Sequence, residues 1–290
     1  MFNIITPTYN RAHTLPRVYK SLIQQTSKTF EWIIVDDGST DNTYQLISEW
    51  IKNTTEFKIT YHKLNINKGK SNAVNVAIDL CKEKYTIIAD SDDTFVPETI
   101  SDLKDIWTNN TDNNIGAIWT LTKDESGQII GDKFPEDYWK VDFKTRVLKH
   151  NIEGEKWHCW KTNVLKSNKM ILSDECHIGE SHTWNHINRS FDFLCINIAH
   201  RIYFHSNDGL IATKTSKERK AKVYYNSALI ELENVSLNDI ITYKFYRFYA
   251  FQYIKSNLYL KRRTNRLSFV KKLTCFVIFM LNIPLKLVRT

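Results

Sequence analysis

Three carboxylates follow an apolar run directly in the stretch Tyr85-Thr86-Ile87-Ile88-Ala89-Asp90-Ser91-Asp92-Asp93. The run is short and rich in β-branched residues, so it predicts a buried strand with the acids at its carboxyl end. In an open α/β sheet, ligands bind at that edge. Because three close acids repel one another, they need a cationic partner wherever they line a cleft. A divalent metal that also binds phosphate oxygens fits this need, and a solvated surface turn is the alternative.

Strand and helix patterns alternate three times within the first 95 residues. Strands are predicted over residues 2–6, 30–35, 58–62 and 85–89, and the segments between them carry apolar residues at helical spacing. This alternation predicts a doubly wound, mainly parallel sheet with helices on both faces. A second acidic group, Asp36-Asp37, follows the strand at 30–35. The two acidic groups are therefore expected to approach each other at one edge of the sheet.

The basic charge of the chain is concentrated near its C-terminal end. Residues 240–290 contain eleven Lys and Arg and no Asp or Glu, whereas residues 1–239 are net acidic. The five cysteines are odd in number and lack CxxC spacing, which favours a reducing compartment over a disulfide framework or a cysteine-based zinc site. The first residues lack the basic segment of a signal peptide, so export is not expected.

Four segments together resemble the nucleotide-binding half of family-two glycosyltransferases with the GT-A fold. They stand in the family's order, near its spacing, within about residues 1–120: Pro7-Thr8-Tyr9-Asn10, Val35-Asp36-Asp37-Gly38-Ser39-Thr40-Asp41, Asn67-Lys68-Gly69 and Asp90-Ser91-Asp92-Asp93. The resemblance implies an α/β fold of GT-A type with a helical C-terminal extension. It also implies an inverting, metal-dependent hexosyltransferase of bacterial surface-polysaccharide synthesis, with Mn²⁺ or Mg²⁺ as its cofactor.

The resemblance also implies which residues bind the donor. Pro7, Thr8 and Tyr9 would line the base and ribose of a nucleotide sugar, most commonly a UDP-sugar. Asp37 would accept a hydrogen bond from the nucleobase, and Lys70 would lie near the pyrophosphate or the base. The alternative for Thr8 and Tyr9 is simple loop packing.

Asp92 and Asp93 match the acidic pair of the family, in which one acid contacts the ribose or sugar and the other contacts the metal. His205 resembles a late histidine that serves as an additional metal or phosphate ligand. A metal that bridges the diphosphate would stabilise the negative leaving group as the glycosidic bond breaks.

Glu180 occupies the place of the family's catalytic base, where a carboxylate enters a helix. The positive end of a helix dipole favours the ionised form of such a carboxylate, as a base requires. The family often has a second acid beside it, whereas this chain has Gly179 and Ser181, so Asp174 and Glu175 are possible substitutes. A helix-capping acid without a catalytic role is the alternative.

His182 and His186 stand four residues apart, a spacing that also occurs in zinc sites. Neither an HExxH acid nor a CxxC pair accompanies them, which favours a polar helix face.

The sequence divides into regions of different composition. We predict a GT-A glycosyltransferase domain over 1–212, with a nucleotide-binding half (1–120) and an acceptor half (121–212). A basic linker or phosphate-covering lid is predicted over 213–235, and a basic, aromatic-rich helical tail over 236–290. Aromatic rings beside cations suit the headgroup layer of an anionic membrane. Packing of the tail on the catalytic domain is the alternative.

The expected partners are a nucleotide-sugar donor, a glycan or lipid-linked acceptor and an anionic membrane surface. With these partners, we expect a cytoplasmic enzyme that is peripheral on the inner face of the cell membrane. A catalytically inactive membrane scaffold with the same fold is one alternative. A nucleic-acid-binding protein is another, but the acidic sheet edge would repel a phosphate backbone, so no nucleic acid is expected. The sequence does not indicate an oligomeric state.

Overall fold

The computed structural model describes residues 1–205, 216–262 and 264–282. Over these residues the chain forms nine strands, ten α-helices and one π-helix. The strands are β1 (Phe2–Thr8), β2 (Phe30–Asp36), β3 (Lys58–Lys63), β4 (Tyr85–Ile88), β5 (Thr94–Phe95), β6 (Ile115–Asp124), β7 (Trp139–Val141), β8 (Lys156–Lys161) and β9 (Asp192–Tyr203). The helices are α1 (Leu15–Ile23), α2 (Thr43–Asn53), α3 (Lys70–Leu80), α4 (Thr99–Asn109), α5 (Thr162–Ser167), α6 (Glu180–Asn188), α7 (Lys217–Leu232), α8 (Leu237–Thr242), α9 (Lys244–Leu260) and α10 (Phe269–Leu281), and the π-helix spans Lys144–His150.

All the strands belong to one mixed sheet. Its order is β3-β2-β1-β4-β8-β6-β9-β5, and β7 pairs with β9. The first four strands of this order are parallel to one another, whereas β8 runs antiparallel to both β4 and β6. Neighbouring parallel strands present their carboxyl ends at the same edge of a sheet. The acids that follow β2 and β4 therefore lie at one edge, as the sequence predicted.

Alternating side chains of the strands bury both faces of the sheet. Ile4 and Ile34 belong to one buried cluster, with apolar residues of α1, α2 and α4. Their neighbours Ile5 and Ile33 belong to a second cluster, with apolar residues of α3. Successive residues of a strand point to opposite faces, so an unbroken apolar strand requires helices on both sides. The predicted α/β class, with helices on both faces and a helical C-terminal region, is confirmed.

The described residues divide into two compact units. The first comprises Met1–Arg146, His150–Met170 and Thr183–Asn207, and it contains the whole sheet. The second comprises Val147–Lys149, Ile171–His182 and Asp208–Thr290. Helices α7 to α10 belong to the second unit, in which the ring of Tyr225 stacks on that of Tyr253 at 5.7 Å between centroids. The boundary between the units falls within α6.

Two local expectations differ from the structure. The first strand continues to Thr8 instead of ending at Thr6, because Pro7 and Thr8 stay in register with Val35 and Asp36 of β2. Most of the predicted linker over 213–235 is helix α7, whose cap Ser216 accepts a hydrogen bond from the Arg219 N–H at 3.1 Å. Residues 213–215 of that linker and 283–290 of the tail lie outside the described residues, and the predicted domain boundaries stay a prediction.

In the described part of the chain, no helix combines the length and the apolar content needed to cross a bilayer.

Candidate active site

The end of β2 is tied to the start of α3 by a single buried carboxylate. Asp37 is 3% exposed, and its two oxygens accept the N–H groups of Lys68 and Gly69 at 2.9 and 2.7 Å. Gly38 has a positive φ of 83°, and a Cβ at that position would lie 3.2 Å from the Asn67 nitrogen. Burial outweighs these two hydrogen bonds and raises the pKa of Asp37. Each oxygen keeps one lone pair for a donor such as a nucleobase N–H.

Lys70, the first residue of α3, connects this turn to the acids that follow β4. Its Nζ lies 2.6 Å from Oδ1 of Asp90. Burial acts to raise the pKa of Asp90, but the charges of Lys70 and Arg201 outweigh it, so the pKa is lowered. The ion pair therefore holds the Lys70 ammonium beside the acids at the carboxyl edge of the sheet, and its role toward a pyrophosphate or base stays a prediction.

Arg201 is a site residue that the sequence did not reveal. It lies in β9, is 7% exposed, and directs its guanidinium toward three acids. The nearest oxygens belong to Glu155 at 3.0 Å, Asp93 at 3.3 Å and Asp90 at 3.8 Å. Oδ1 of Asp93 also accepts the Phe204 N–H at 3.1 Å. Arg201 thus supplies positive charge to the acidic group from the opposite half of the sheet.

Lys70 and Arg201 do not fully compensate the negative charge of the aspartates that follow β4. Burial raises the pKa of Asp93 to about 7, against the pull of Arg201 and with the repulsion of Asp90 and Asp92. Burial and the nearby Asp90 also raise the pKa of Asp92. A carboxylate with a raised pKa favours either protonation or an added cation. The two carboxylates are hard oxygen ligands, so they fit Mg²⁺ or Mn²⁺.

The described residues do not bring three or more His, Cys, Asp or Glu side chains into an arrangement that could hold a metal ion. Asp92 is partly exposed, whereas Asp93 is 1% exposed and already bound to Arg201 and Phe204. His205 is exposed, and its ring meets that of Tyr203 edge-on at 5.1 Å. The metal-binding roles of Asp92, Asp93 and His205 therefore stay predictions.

The predicted base-binding segment lies at the end of β1. Pro7 is buried, and Thr8 is 3% exposed with an Oγ1 that has no hydrogen-bond partner among the described residues. Tyr9 follows with 43% of its surface exposed. Asn10 has a left-handed backbone, and its Oδ1 accepts the Thr40 N–H at 2.8 Å. An orphaned hydroxyl beside an exposed ring suits a ligand with both polar groups and an aromatic base.

Glu180 is the first residue of α6 and is partly buried in the second unit. Of its two suggested substitutes, Asp174 is exposed, and Glu175 is paired with the guanidinium of Arg262. The hydrogen bond from Arg262 lowers the pKa of Glu175. Glu175 is therefore engaged in an ion pair, and the catalytic role of Glu180 or of either substitute stays a prediction.

The two histidines that a zinc site would need, His182 and His186, lie in different environments. His182 is 5% exposed, and its Nδ1 lies 2.7 Å from Oε1 of the buried Glu231 in the second unit. His186 is exposed. The expectation of a polar helix face is thus wrong for His182, which is buried and paired with a carboxylate.

His158, in β8, is a second residue whose environment the sequence did not reveal. Its ring lies between the rings of Trp119, Trp160 and Trp184, with centroids 4.7, 5.3 and 5.1 Å away. Burial lowers the pKa of His158 to about 3, and repulsion from Arg201 adds to the effect. His158 is therefore neutral at physiological pH.

This environment predicts a loss of stability in mild acid. Below a pH of about 6.5 the unfolded chain protonates His158 while the folded protein resists protonation until a pH of about 3, so folding stability falls as the pH decreases through that range. Urea unfolding at several pH values should show a flatter acid slope for His158→Phe. His186→Gln, at an exposed histidine, is the matched control and should keep the original slope.

The sequence of this chain is similar to those of known proteins. The sequence model of glycosyl transferase family 2 matches residues 3–171, more than half of the chain. Chondroitin synthase of Escherichia coli is 25% identical over 234 residues, which are 78% of this chain and 32% of that protein. The Escherichia coli UDP-Glc:alpha-D-GlcNAc-diphosphoundecaprenol beta-1,3-glucosyltransferase WfaP is 38% identical over 101 residues, which are 35% of this chain and 39% of that protein. The chain therefore spans less than half the length of either relative.

A solved structure has the same fold. Residues 1–349 of S. aureus TarS, in complex with UDP-GlcNAc, superimpose with a TM-score of 0.66 and 19% sequence identity, over 96% of this chain and 79% of that one. This likeness concerns the fold, and the sequence match concerns the family. With its acidic group at the carboxyl edge of a GT-A type sheet, the chain belongs to glycosyl transferase family 2.

Proposed function

We propose that the protein is an inverting, metal-dependent hexosyltransferase that moves a sugar from a nucleotide-diphosphate sugar to a hydroxyl group of a glycan or lipid-linked acceptor. One observation carries the proposal. Asp92 and Asp93 lie at the carboxyl edge of the sheet with raised pKa values, although Lys70 pairs with the adjacent Asp90 and Arg201 pairs with Asp93. Such a group gains stability from a divalent cation that arrives with a diphosphate.

The residues at the end of β1 and β2 would bind the nucleoside. Pro7, Thr8 and Tyr9 offer a buried wall, an unpartnered hydroxyl and an exposed ring for the ribose and base. Asp37 would accept from the base through its remaining lone pairs, while its bonds to the Lys68 and Gly69 N–H groups hold the start of α3 in place. Lys70 would then face the diphosphate from the first turn of that helix.

Asp92 and Asp93, with His205, would hold Mn²⁺ or Mg²⁺. A bound divalent ion supplies charge neutralisation to the departing nucleoside diphosphate. Arg201 keeps Asp93 in position through its guanidinium, and the Phe204 N–H fixes the second oxygen of the same carboxylate. These two contacts would hold the Asp93 carboxylate in place before the donor binds.

Glu180 would act as the general base. Its carboxylate would take the proton of the acceptor hydroxyl as that oxygen bonds to the anomeric carbon, and the bond from this carbon to the diphosphate oxygen would break in the same displacement. Attack from the face opposite the leaving group inverts the anomeric configuration. The nucleoside diphosphate leaves with the bonding electron pair.

The substrate classes are drawn from relatives. WfaP is named for a UDP-glucose donor and a diphosphoundecaprenol-linked acceptor, and the TarS structure contains UDP-GlcNAc. A UDP-sugar donor and a lipid-linked or polymeric glycan acceptor of bacterial surface-polysaccharide synthesis are therefore the first candidates. Work on a lipid-linked acceptor would place the protein on the cytoplasmic face of the cell membrane.

A thermal-shift screen tests the donor and the metal together. UDP, GDP and their sugars are each added to the full chain with and without Mn²⁺. Because a ligand that binds only the folded state raises the melting temperature, we expect one nucleotide to give a clear shift that grows with Mn²⁺. Hydrolysis of the best donor is then measured with Mn²⁺. Nucleotide binding without any hydrolysis or transfer would favour the inactive scaffold instead.

A further inference from the structure

Helix α10 packs against the rest of its unit through only one of its sides. Cys275 and Ile278 are buried, and the ring of Phe279 lies 5.1 Å from that of Phe251 in α9. Both lysines of the helix also point inward. Nζ of Lys271 donates to the carbonyls of Leu232 and Glu233 just after α7, and Nζ of Lys272 donates to the Thr264 carbonyl. These lysines therefore hold the carbonyl groups of neighbouring segments.

The opposite face of α10 is apolar and exposed. Seven side chains make up this surface, which we call the α10 arc, and each is between 47% and 79% exposed: Phe269, Val270, Leu273, Phe276, Val277, Met280 and Leu281. At roughly 100° per residue, they cover about 140° of the helix circumference without a charged residue among them. A soluble helix normally turns such a stripe toward the core. The described residues of the unit therefore leave the α10 arc uncovered, and we look for its partner outside them.

The charge of this part of the chain indicates the chemistry of that partner. In residues 240–262 and 264–282 there are eight Lys and Arg and no Asp or Glu. Lys244, Lys255 and Lys261 are exposed, and the ion pairs of the described residues do not include them. A two-fold interface joins identical surfaces, so a second copy of this chain would add a second set of these three exposed lysines and no acid from the same residues to offset them. An anionic lipid surface complements both the cations and the apolar side chains.

We propose that the α10 arc inserts into the headgroup region of an anionic bilayer, with the helix lying parallel to the surface. The arc supplies apolar burial, and the exposed lysines supply attraction to the lipid phosphates. The proposed membrane-binding surface is thus smaller than the whole tail, 236–290, that the sequence predicted. The inference deepens the proposed function by naming a membrane partner, and it rests on that function only for the biological role of the contact.

The test uses the full chain and vesicles of phosphatidylcholine with about one third phosphatidylglycerol. We expect the wild type to float with these vesicles. Phe276→Glu with Met280→Glu places two charges in the α10 arc at exposed positions, so it should weaken binding about tenfold or more while the circular dichroism is kept. Phe276→Ser with Met280→Ser is a milder pair that should weaken binding less.

The matched control places the same charges on exposed apolar residues outside the α10 arc. Ile51 and Leu172 are 44% and 54% exposed, so Ile51→Glu with Leu172→Glu should bind vesicles like the wild type. Equal flotation of the wild type and both arc variants would overturn the proposal. So would a wild type that ignores vesicles but whose mass in light scattering halves in the arc variants, because that result assigns the arc to a second copy.

The two proposals fail separately. Hydrolysis of a soluble donor depends on the first unit and on Glu180, and the arc variants should leave it unchanged. Loss of vesicle binding with full hydrolysis therefore supports the membrane contact, and absence of hydrolysis with normal vesicle binding counts against the transferase alone.

Discussion

Replacing Glu180 by glutamine is expected to reduce turnover by a factor on the order of 10² to 10⁴, the usual effect of losing a general base. Glutamine keeps the shape of the side chain but cannot take the proton of the acceptor hydroxyl. The melting shift caused by the donor with Mn²⁺ should stay as large as in the wild type, because Glu180 is assigned to the acceptor and not to the nucleotide. The measurement is kcat with a saturating donor, together with the anomeric configuration of the product by NMR.

Glu175→Gln is the matched control for this change. Glu175 lies in the same segment, is exposed, and is bound to Arg262 and to Nδ2 of Asn226 at 3.3 Å. Its loss should cost a surface ion pair and little activity, since exposed pairs contribute weakly. The assignment fails if Glu180→Gln remains fully active, if Glu175→Gln is the inactive variant, or if the product retains the donor configuration.

Replacing Asp92 by asparagine is expected to reduce transfer by a factor on the order of 10² or more, because charge stabilisation of the leaving group would be lost. The same variant should lose the part of the nucleotide melting shift that depends on Mn²⁺. Burial and Asp90 raise the pKa of Asp92, so ionising this carboxyl costs more in the folded protein than in the unfolded chain. Without added metal, the variant should therefore melt no lower than the wild type.

Asp79→Asn provides the comparison for Asp92. Asp79 is exposed and pairs with Lys169 at 2.6 Å, so its neutralisation should leave activity and the metal response intact. Asp93 is a less clean test, because it also binds Arg201 and the Phe204 N–H, and its removal would leave a buried guanidinium with fewer acids around it. A variant at Asp92 that binds nucleotide with unchanged dependence on Mn²⁺ would refute the metal role.

The fold was predictable because its signals are local. Short apolar runs, each followed by a turn and a segment of helical spacing, define β1 to β4 and α1 to α3, and strands of one parallel sheet must present their acids at one edge. The positions of the Asp37 and Asp90 groups follow from that rule alone. The resemblance to the family then added roles for residues that pattern reasoning could only place.

The partners of these acids could not be predicted in the same way. Arg201 lies inside a strand, and nothing in the sequence around it indicates that its guanidinium faces Asp93 from the other half of the sheet. His158 stands in an ordinary strand pattern, and three tryptophans from separate segments create its environment. Side-chain contacts between distant segments depend on packing that local periodicity does not encode.

Helix α7 was predicted as a linker because of its composition. Its first turn is polar and basic, which favours a linker, and its apolar residues begin only near Tyr225. Two signals were present. Ser216 stands at the N-cap, and Glu218 and Lys222 form an i,i+4 pair at 2.6 Å. Such pairs are typical of a helix with a charged face, so helix α7 could have been predicted from the sequence.

The long separation between Asp93 and the groups that hold it has a consequence for biosynthesis. Phe204 donates its N–H to Asp93 across 111 positions of the chain, and Arg201 lies just before it in β9. On the ribosome, the acidic edge emerges well before β9, so the nascent first half is left with mutually repelling aspartates and an incomplete sheet. Final folding of this half must wait until β9 is translated. A fragment that stops at residue 120 should consequently be a poor expression product, although it contains all four family motifs.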